Sequence, residues 1–324
     1  MIGGCAPKPE PKPWSVSEAE RKFKKKCQEE FGLHVITRMV GQSLWIYLPV
    51  KTPLFDYEAQ KENAGADEAP LKPSKFAIQY IDGNFKNGRF FFEYDVIDRK
   101  KIKKEDYGYS SSYTDTYIKD QNNIFTAVSD VFFNTQARKG EIEPQFFVIT
   151  ITDIKKGIET QGIFYLEDFK RYMTGDLPYE EYGKRFLADS KGGQSLIGDE
   201  TGSHLKYRDI GMGEFLTKQI INRINFKFQR SDFPPPDDYD KSIVDIVADT
   251  LRYYDFKDYS TVQLVNLRPR SAEINVHTGE FQTKKFLFEK NQLTNFGEDA
   301  SGTAKEGKLI HIRFENGKAQ FNQE

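Results

Sequence analysis

A glycine-rich segment at residues 190–213 carries the side chains best suited to acid–base chemistry in this chain. Asp199, Glu200 and His204 lie close together in it, and two carboxylates with an imidazole are groups that proton transfer or metal binding could use. Their spacing fits neither the HExxH metal motif nor a phosphate-binding loop, and the chain has no Gly-x-Ser-x-Gly elbow. The segment therefore indicates either a polar site on a lid-like loop, as in a hydrolase, or a solvated linker, which is what such composition usually forms.

A row of tyrosines offers a second candidate surface, formed by Tyr107, Tyr109, Tyr113 and Tyr117. If this stretch is extended, the four side chains share one face of a strand, because successive residues alternate between faces. An exposed row of this kind could stack on sugars or contact a partner protein. The alternative is that the tyrosines pack one face of an edge strand.

The N-terminal residues carry a lipidation signature. The tetrapeptide Ile2-Gly3-Gly4-Cys5 resembles the lipobox of bacterial lipoproteins, in which the signal peptide is cleaved before the cysteine and the cysteine receives the lipid. The resemblance covers residues 1–13 and implies lipidation of Cys5, with the basic and apolar parts of a signal peptide lying upstream of Met1. Residues 6–13 alternate proline with polar residues, which favours an extended polyproline II spacer. Ala6, rather than aspartate, after the cysteine resembles the lipoproteins directed to an outer membrane.

The composition predicts a soluble globular protein. The chain has 324 residues, of which 38% are hydrophobic and 30% charged, with a formal net charge of −2, so neither disorder nor nucleic-acid binding is indicated. No apolar run reaches the ~18–20 residues of a transmembrane helix, so we expect membrane attachment only through lipid on Cys5. With two cysteines, one of them Cys27 on an apolar helical stripe, a disulfide framework and a zinc site are excluded. The scattered histidines predict no metal site, and no cofactor is expected.

The elements follow one repeated pattern, an amphipathic helix followed by a β-hairpin. The pattern begins near residues 15, 120 and 240, and further hairpins are predicted at residues 76–96 and 309–321. It predicts an α+β fold with mainly antiparallel sheet and helices on one side. The predicted organisation is a lipid-anchor site and proline-rich stalk at 1–14, an α+β domain at 15–189, a Gly/Pro-rich linker with one helix at 190–238, and a second α+β subdomain at 239–324.

These observations predict a lipid-anchored protein of the cell envelope that acts as a non-catalytic binding or assembly module. If the cell has two membranes, the expected site is the outer membrane, facing the periplasm. The expected partners are the membrane, through Cys5, and an envelope protein or glycan. Two alternatives stay open: an envelope enzyme, such as a hydrolase using residues 190–213, and a cytoplasmic α+β protein whose first residues resemble a lipobox by chance.

Overall fold

The computed structural model describes residues 14–56, 76–98, 112–133, 135, 137–229, 239–267, 283–294, 310–315 and 318–323. The chain divides into two compact units, each built from two stretches: Met1–Lys61 with Tyr109–Ile210, and Glu62–Gly108 with Gly211–Glu324. The fold is α+β, with helices and mainly antiparallel sheets, which confirms the predicted class. Within the described residues, no helix is both long enough and apolar enough to cross a bilayer.

The elements are numbered here in chain order. The described helices of the first unit are α1 (Val16–Phe31), α2 (Asp115–Phe132), α3 (Leu166–Met173) and α4 (Tyr179–Arg185). Its strands are β1 (Ile36–Val40), β2 (Ser43–Val50), β3 (Phe55–Asp56), β6 (Ser112–Tyr113), β7 (Phe146–Asp153), β8 (Ile158–Tyr165) and β9 (Leu187–Gly192). The second unit has the helices α5 (Met212–Gln229), α6 (Tyr239–Tyr253) and α7 (Lys290–Thr294). Its strands are β4 (Phe76–Lys86), β5 (Arg89–Asp98), β10 (Thr261–Asn266), β11 (Lys284–Glu289), β12 (Ile310–Glu315) and β13 (Lys318–Gln323).

The sequence predicts that helix α1 begins at a Ser15 or Ser17 cap and ends at Gly32, and the structure confirms Ser15 and Gly32. The Ser15 hydroxyl accepts the backbone N–H of Glu18 at 3.3 Å, and the Glu18 carboxylate accepts the N–H of Ser15 at 3.0 Å, which completes a capping box. Gly32 ends the helix in the left-handed conformation, with φ +70°. Between these ends, Phe23 and Cys27 are fully buried one turn apart. Burial raises the pKa of the Cys27 thiol to about 12, so Cys27 is a buried structural residue, as its position on the apolar stripe predicts.

The main sheet of the first unit has the strand order β1-β2-β7-β8-β9. Its neighbouring strands are antiparallel except for the central pair β2 and β7, which run parallel and join the first two helix-then-hairpin units. One face of this pair belongs to a hydrophobic core shared with α1 and α2. The residues that the central strands contribute to this core alternate along each strand: Leu44, Ile46, Leu48, Phe147, Ile149 and Ile151.

The opposite face of the same sheet is covered by irregular chain. Strand β7 is buried along its whole length, as expected for a central strand that is apolar on both faces. On this second face, Trp45 and Tyr47 of β2 donate hydrogen bonds to backbone carbonyls at Arg208 and Asp199. Residues 193–210, called the covering segment below, therefore bury a sheet face from which the helices α1 and α2 are absent.

The second unit has a four-stranded sheet in the order β11-β10-β5-β4, in which β10 runs parallel to β5 and the other pairs are antiparallel. Helix α5 packs on β4, and α6 packs on α5. The sequence predicts Asp240 as the N-cap of this helix, but Asp240 lies inside the first turn of α6 and its carboxylate bonds to the sheet. It accepts from the Tyr94 hydroxyl at 2.7 Å, the Asn266 amide at 3.0 Å and the Lys284 ammonium at 2.9 Å.

The hairpin of β4 and β5 corrects one predicted turn. The sequence predicts a turn over residues 82–88, but β4 continues through Asp82 and Gly83, and the turn is formed by Asn87 and Gly88 alone. Both turn residues have positive φ, +53° and +71°, as a two-residue hairpin requires. Gly83 serves packing instead, because a Cβ atom there would overlap the ring of Phe92 on the paired strand.

Candidate functional site

The C-terminal end of the covering segment is fixed to the sheet by Asp209. Its Oδ1 accepts the backbone N–H of Gln42 at 2.8 Å and the hydroxyl of Ser43 at 3.0 Å, at the turn between β1 and β2. Gly41, with φ +56°, makes room for this contact, since a Cβ atom there would overlap the Asp209 carboxylate. The glycine and the carboxylate are thus needed together, although 167 positions separate Gln42 from Asp209.

An aromatic contact holds the neighbouring part of the covering segment. The indole Nε1 of Trp45 donates to the carbonyl of Arg208 at 2.8 Å, and its ring meets Tyr207 edge-on with centroids 5.5 Å apart. The guanidinium of Arg38 lies over the ring of Tyr207, 4.8 Å from its centroid. Trp45 is only 5% exposed, so its environment depends on the covering segment being in place.

Asp199 organises the middle of the covering segment. Its carboxylate accepts the backbone N–H groups of Thr201 at 3.1 Å, Ser203 at 3.1 Å and His204 at 3.0 Å, and both hydroxyls of this turn bond to it as well. Burial by itself would raise the pKa of Asp199. The hydrogen bonds from the His204 ring and from the three backbone amides outweigh burial and hold the pKa of this carboxyl well below its usual range.

His204 lies between two carboxylates. Its Nδ1 is 2.6 Å from Asp199 Oδ2, and its Nε2 is 2.5 Å from Glu159 Oε2 on strand β8. Tyr47 closes the site, with its ring edge-on to the imidazole at a centroid distance of 5.7 Å and its hydroxyl donating to the Asp199 carbonyl at 2.5 Å. Two ionised carboxylates can accept from both ring nitrogens only when the imidazole carries both protons. The ring therefore bridges the carboxylate of the covering segment and the carboxylate of strand β8.

Glu159 has two further partners, both from strands next to β8. The hydroxyl of Thr152 donates to Oε2 at 3.0 Å, and the ammonium of Lys191 lies 2.9 Å from Oε1. The Glu159 side chain is 0% exposed, and the His204 side chain is 7% exposed. We call Asp199, His204, Glu159, Lys191 and Thr152 the His204 cluster. Its two carboxylates share the imidazole of His204, and the ammonium of Lys191, whose side chain is 57% exposed, pairs with Glu159 from the edge of the cluster.

The bonding of His204 decides what the cluster can do chemically. A general-base histidine needs one ring nitrogen directed at the proton it removes, and a catalytic triad directs that nitrogen at a nucleophile. Here both nitrogens are engaged by carboxylates, and the side chain is only 7% exposed. The geometry is that of an ionic connection between the segment and strand β8.

Glu200, the third polar candidate, lies outside this cluster. Its carboxylate points to the surface and pairs with Lys51 at 3.0 Å, and both side chains are 64% exposed. The two residues border a cleft of about 610 Å³, lined also by Lys24, Leu33 and Ile154 among others. The structure thus brings Asp199 and His204 together and places Glu200 at a separate surface site.

The tyrosine row is divided by the start of a helix. Thr114 caps α2 by accepting the N–H of Tyr117 at 3.2 Å, so the chain is not extended beyond this point. Tyr113 is 39% exposed on β6, whereas Tyr117 is 6% exposed on α2, and their rings stack 4.5 Å apart. Burial raises the pKa of Tyr117 to about 12. Tyr107 and Tyr109, like Cys5, lie outside the described residues.

Sequence reasoning missed the sheet residues of the His204 cluster, namely Glu159, Thr152 and Lys191. The available signal was the charge of Glu159 in a strand that is apolar at both ends, because a buried carboxylate requires a cationic or hydrogen-bonding partner. Within the described part of the chain, no group of three or more histidine, cysteine, aspartate or glutamate side chains is arranged to hold a metal ion.

Comparison with known proteins finds no match to this chain among family models, curated proteins or solved structures. Function is therefore inferred below from the chemistry of the chain's own residues.

Proposed function

We propose that this chain is a lipid-anchored protein of the cell envelope whose folded units act as a non-catalytic binding or assembly module. The observation that supports attachment to the cell envelope is the lipobox-like tetrapeptide ending at Cys5, followed directly by a proline-rich spacer. The observation that favours binding over catalysis is the bonding of both His204 ring nitrogens to carboxylates.

The start of the first unit is compatible with a tether at Cys5. Trp14 forms a bridge with Thr135, and the Lys22 ammonium lies 3.8 Å from the centroid of the Trp14 ring, so the folded unit is fastened at its first described residue. The eight residues 6–13 separate this point from Cys5. At about 3.1 Å per residue, a polyproline II spacer of this length would span about 25 Å. Such a short tether keeps the first unit near the membrane and raises its effective concentration towards partners there.

The hydrolase alternative requires a different state of the His204 cluster. His204 would have to leave one carboxylate, and the covering segment would have to lift from the sheet, before the ring could accept a proton from a substrate. This movement would leave Glu159, which is 0% exposed, without its imidazole partner, and such separation is costly. We therefore assign the cluster a structural role in the proposed binding module.

Lipid attachment to the cell envelope is tested by expressing the gene with its upstream DNA and following the product by detergent phase partitioning and intact mass. We expect a detergent-phase protein that carries acyl groups, and an unmodified aqueous product from the variant Cys5→Ser. The matched control is Cys27→Ala, which removes the other cysteine of the chain and should leave acylation unchanged. An aqueous, unmodified wild-type product would contradict the proposal and favour the cytoplasmic alternative.

The binding role is tested by placing a photo-crosslinking amino acid at Tyr113 in membrane-attached protein. We expect a crosslinked envelope protein or glycan that is lost with Tyr113→Ser. Tyr117 is not a suitable position, because its buried ring supports α2 and a substitution would disturb folding. The control position is Ile142, which is 55% exposed and lies elsewhere on the first unit. Equal crosslinking at both positions would exclude the Tyr113 surface as the specific contact.

A further inference from the structure

We propose that the cleft beside Glu200 binds a small molecule with an apolar body and a single carboxylate group. The inference deepens the binding role proposed above and rests on it, but it does not depend on Cys5 or on the membrane address.

The cleft lies at the carboxyl ends of the parallel strands β2 and β7. Pro49, near the end of β2, and Ile154, directly after β7, both line it. Crevices outside the carboxyl ends of parallel strands are common ligand sites in α/β sheets, because the loops that follow neighbouring parallel strands lie at the same edge of the sheet. The volume of about 610 Å³ lies within the range of about 300–1,000 Å³ typical of small-molecule sites.

The lining of the cleft divides into an apolar floor and a charged rim. Leu33 and Ile154 are 8% and 5% exposed, and Ile36 and Pro49 are half-buried beside them. These side chains offer an aliphatic surface to the body of a ligand. Transfer of such a body from water to this surface is favourable and roughly proportional to the area it covers.

The rim carries two ammonium groups and one carboxylate, those of Lys24, Lys51 and Glu200, together with the polar side chains of Gln28 and His34. Lys51 pairs with Glu200 at 3.0 Å, with both side chains 64% exposed. An exposed pair of this kind contributes little stability, so a second carboxylate can replace Glu200 at small cost. Lys24 has its own partner, Glu20, at 3.2 Å, and that carboxylate also accepts from the Thr37 hydroxyl.

The existing partner of Lys51 identifies the head group. Because Lys51 already binds a carboxylate from its own chain, Glu200 occupies the position that we assign to the carboxylate of the ligand. The bound ligand would then turn Glu200 out to solvent and place its apolar body on the floor. A cationic head group would meet two ammonium groups against one carboxylate, and a neutral one would offer Lys51 a hydrogen bond but no opposite charge.

The test uses isothermal titration of the full chain carrying Cys5→Ser, with octanoate as the probe. Octan-1-ol and octylammonium share its apolar body and serve as head-group controls. We expect octanoate to bind in the millimolar range or tighter, and more strongly than either control. No octanoate binding, or equal binding of octan-1-ol, would overturn the proposal.

Two charge variants make the test specific. Glu200→Gln frees Lys51 and should strengthen octanoate binding about two- to fivefold, whereas Lys51→Met should weaken it by a similar factor. The matched controls are Glu29→Gln and Lys25→Met, which alter a comparable exposed pair, 3.7 Å apart, outside the cleft lining, and should change nothing.

Weakened binding in Glu200→Gln, or equal effects in the control variants, would contradict the assignment. If octanoate does not bind but Cys5 is acylated, the ligand proposal is rejected and the proposed envelope location stands. If Cys5 is not acylated but octanoate binds, the proposed envelope location is rejected and the ligand proposal for the cleft stands.

Discussion

Replacing His204 by alanine removes the imidazole that bridges the two carboxylates of the cluster. Glu159 is then left 0% exposed with Thr152 and Lys191 as partners, and Asp199 keeps only its loop donors. Breaking a buried ion pair by removing one partner typically costs about 3–5 kcal/mol. Because both carboxylates keep some partners, and the vacated polar space can admit water, we expect the lower end, about 3 kcal/mol in the free energy of unfolding of the first unit.

The assay is urea denaturation followed by tryptophan fluorescence. Both tryptophans of the chain, Trp14 and Trp45, lie in the first unit, so the signal reports this unit. Trp14→Phe as background leaves Trp45, which contacts the covering segment. The matched control is Glu200→Gln, one position after Asp199 but 64% exposed, for which we expect a change within about 0.5 kcal/mol. If His204→Ala destabilises no more than this control, the cluster does not hold the segment.

A double-mutant cycle separates the ionic contact from the loss of packing. Glu159→Gln, His204→Gln and the double variant retain polar side chains of related size while removing the carboxylate and the imidazole. We expect a coupling energy between these two positions of about 1.5–3 kcal/mol, since contacting residues in one ionic network are not additive. Additive effects would mean that the two side chains contribute separately and that the short distance between them carries no stabilisation.

Three further outcomes are expected. Because the pKa of Asp199 is lowered in the folded state, its contribution to stability is present at neutral pH and is lost as the pH falls below about 5. Asp199→Asn should therefore lower the free energy of unfolding in urea at pH 7 and reduce its decline towards acid pH. Gly41→Ala should destabilise by about 2–4 kcal/mol in denaturation, well beyond Gly32→Ala, which shares a positive φ but has open space around its Cβ position. In the second unit, Asp240→Ala should reduce hydrogen-exchange protection by about 2–4 kcal/mol, whereas Asp249→Ala, on the exposed side of the same helix, should change it little.

The elements that carry local signals could be predicted from the sequence. Helix α1 has a capping box at its start, glycine at its end and a buried stripe between them, all within reach of one another along the chain. The same local reasoning failed at Gly83. Glycine after aspartate favours a turn, but here it serves the close approach of Phe92 across the hairpin, and nothing near position 83 distinguishes the two uses.

The pairing of distant strands could not be predicted in the same way. The parallel contacts of β2 with β7 and of β5 with β10 join stretches separated by long sequence distances, and the side chains of a strand do not specify which distant strand it pairs with. Strand β7 carries partial information. Its apolar side chains on both faces predict that both faces are covered, but not that the second cover is an irregular, glycine-rich segment.

The candidate site illustrates how burial changes the meaning of the same residues. Asp199 and His204 in a polar segment suggest proton transfer only while the segment is assumed to be solvated. Glu159 supplies the missing constraint, because a carboxylate in a central strand must find a cationic or hydrogen-bonding partner when the strand is buried. Of the four histidines in the chain, His204 is the one in the segment that covers this face, and its pairing with Glu159 across 45 positions turns an apparent catalytic loop into an ionically fastened one. If the double-mutant cycle finds strong coupling between these two residues, the segment is held closed by the same groups that a hydrolase would need free.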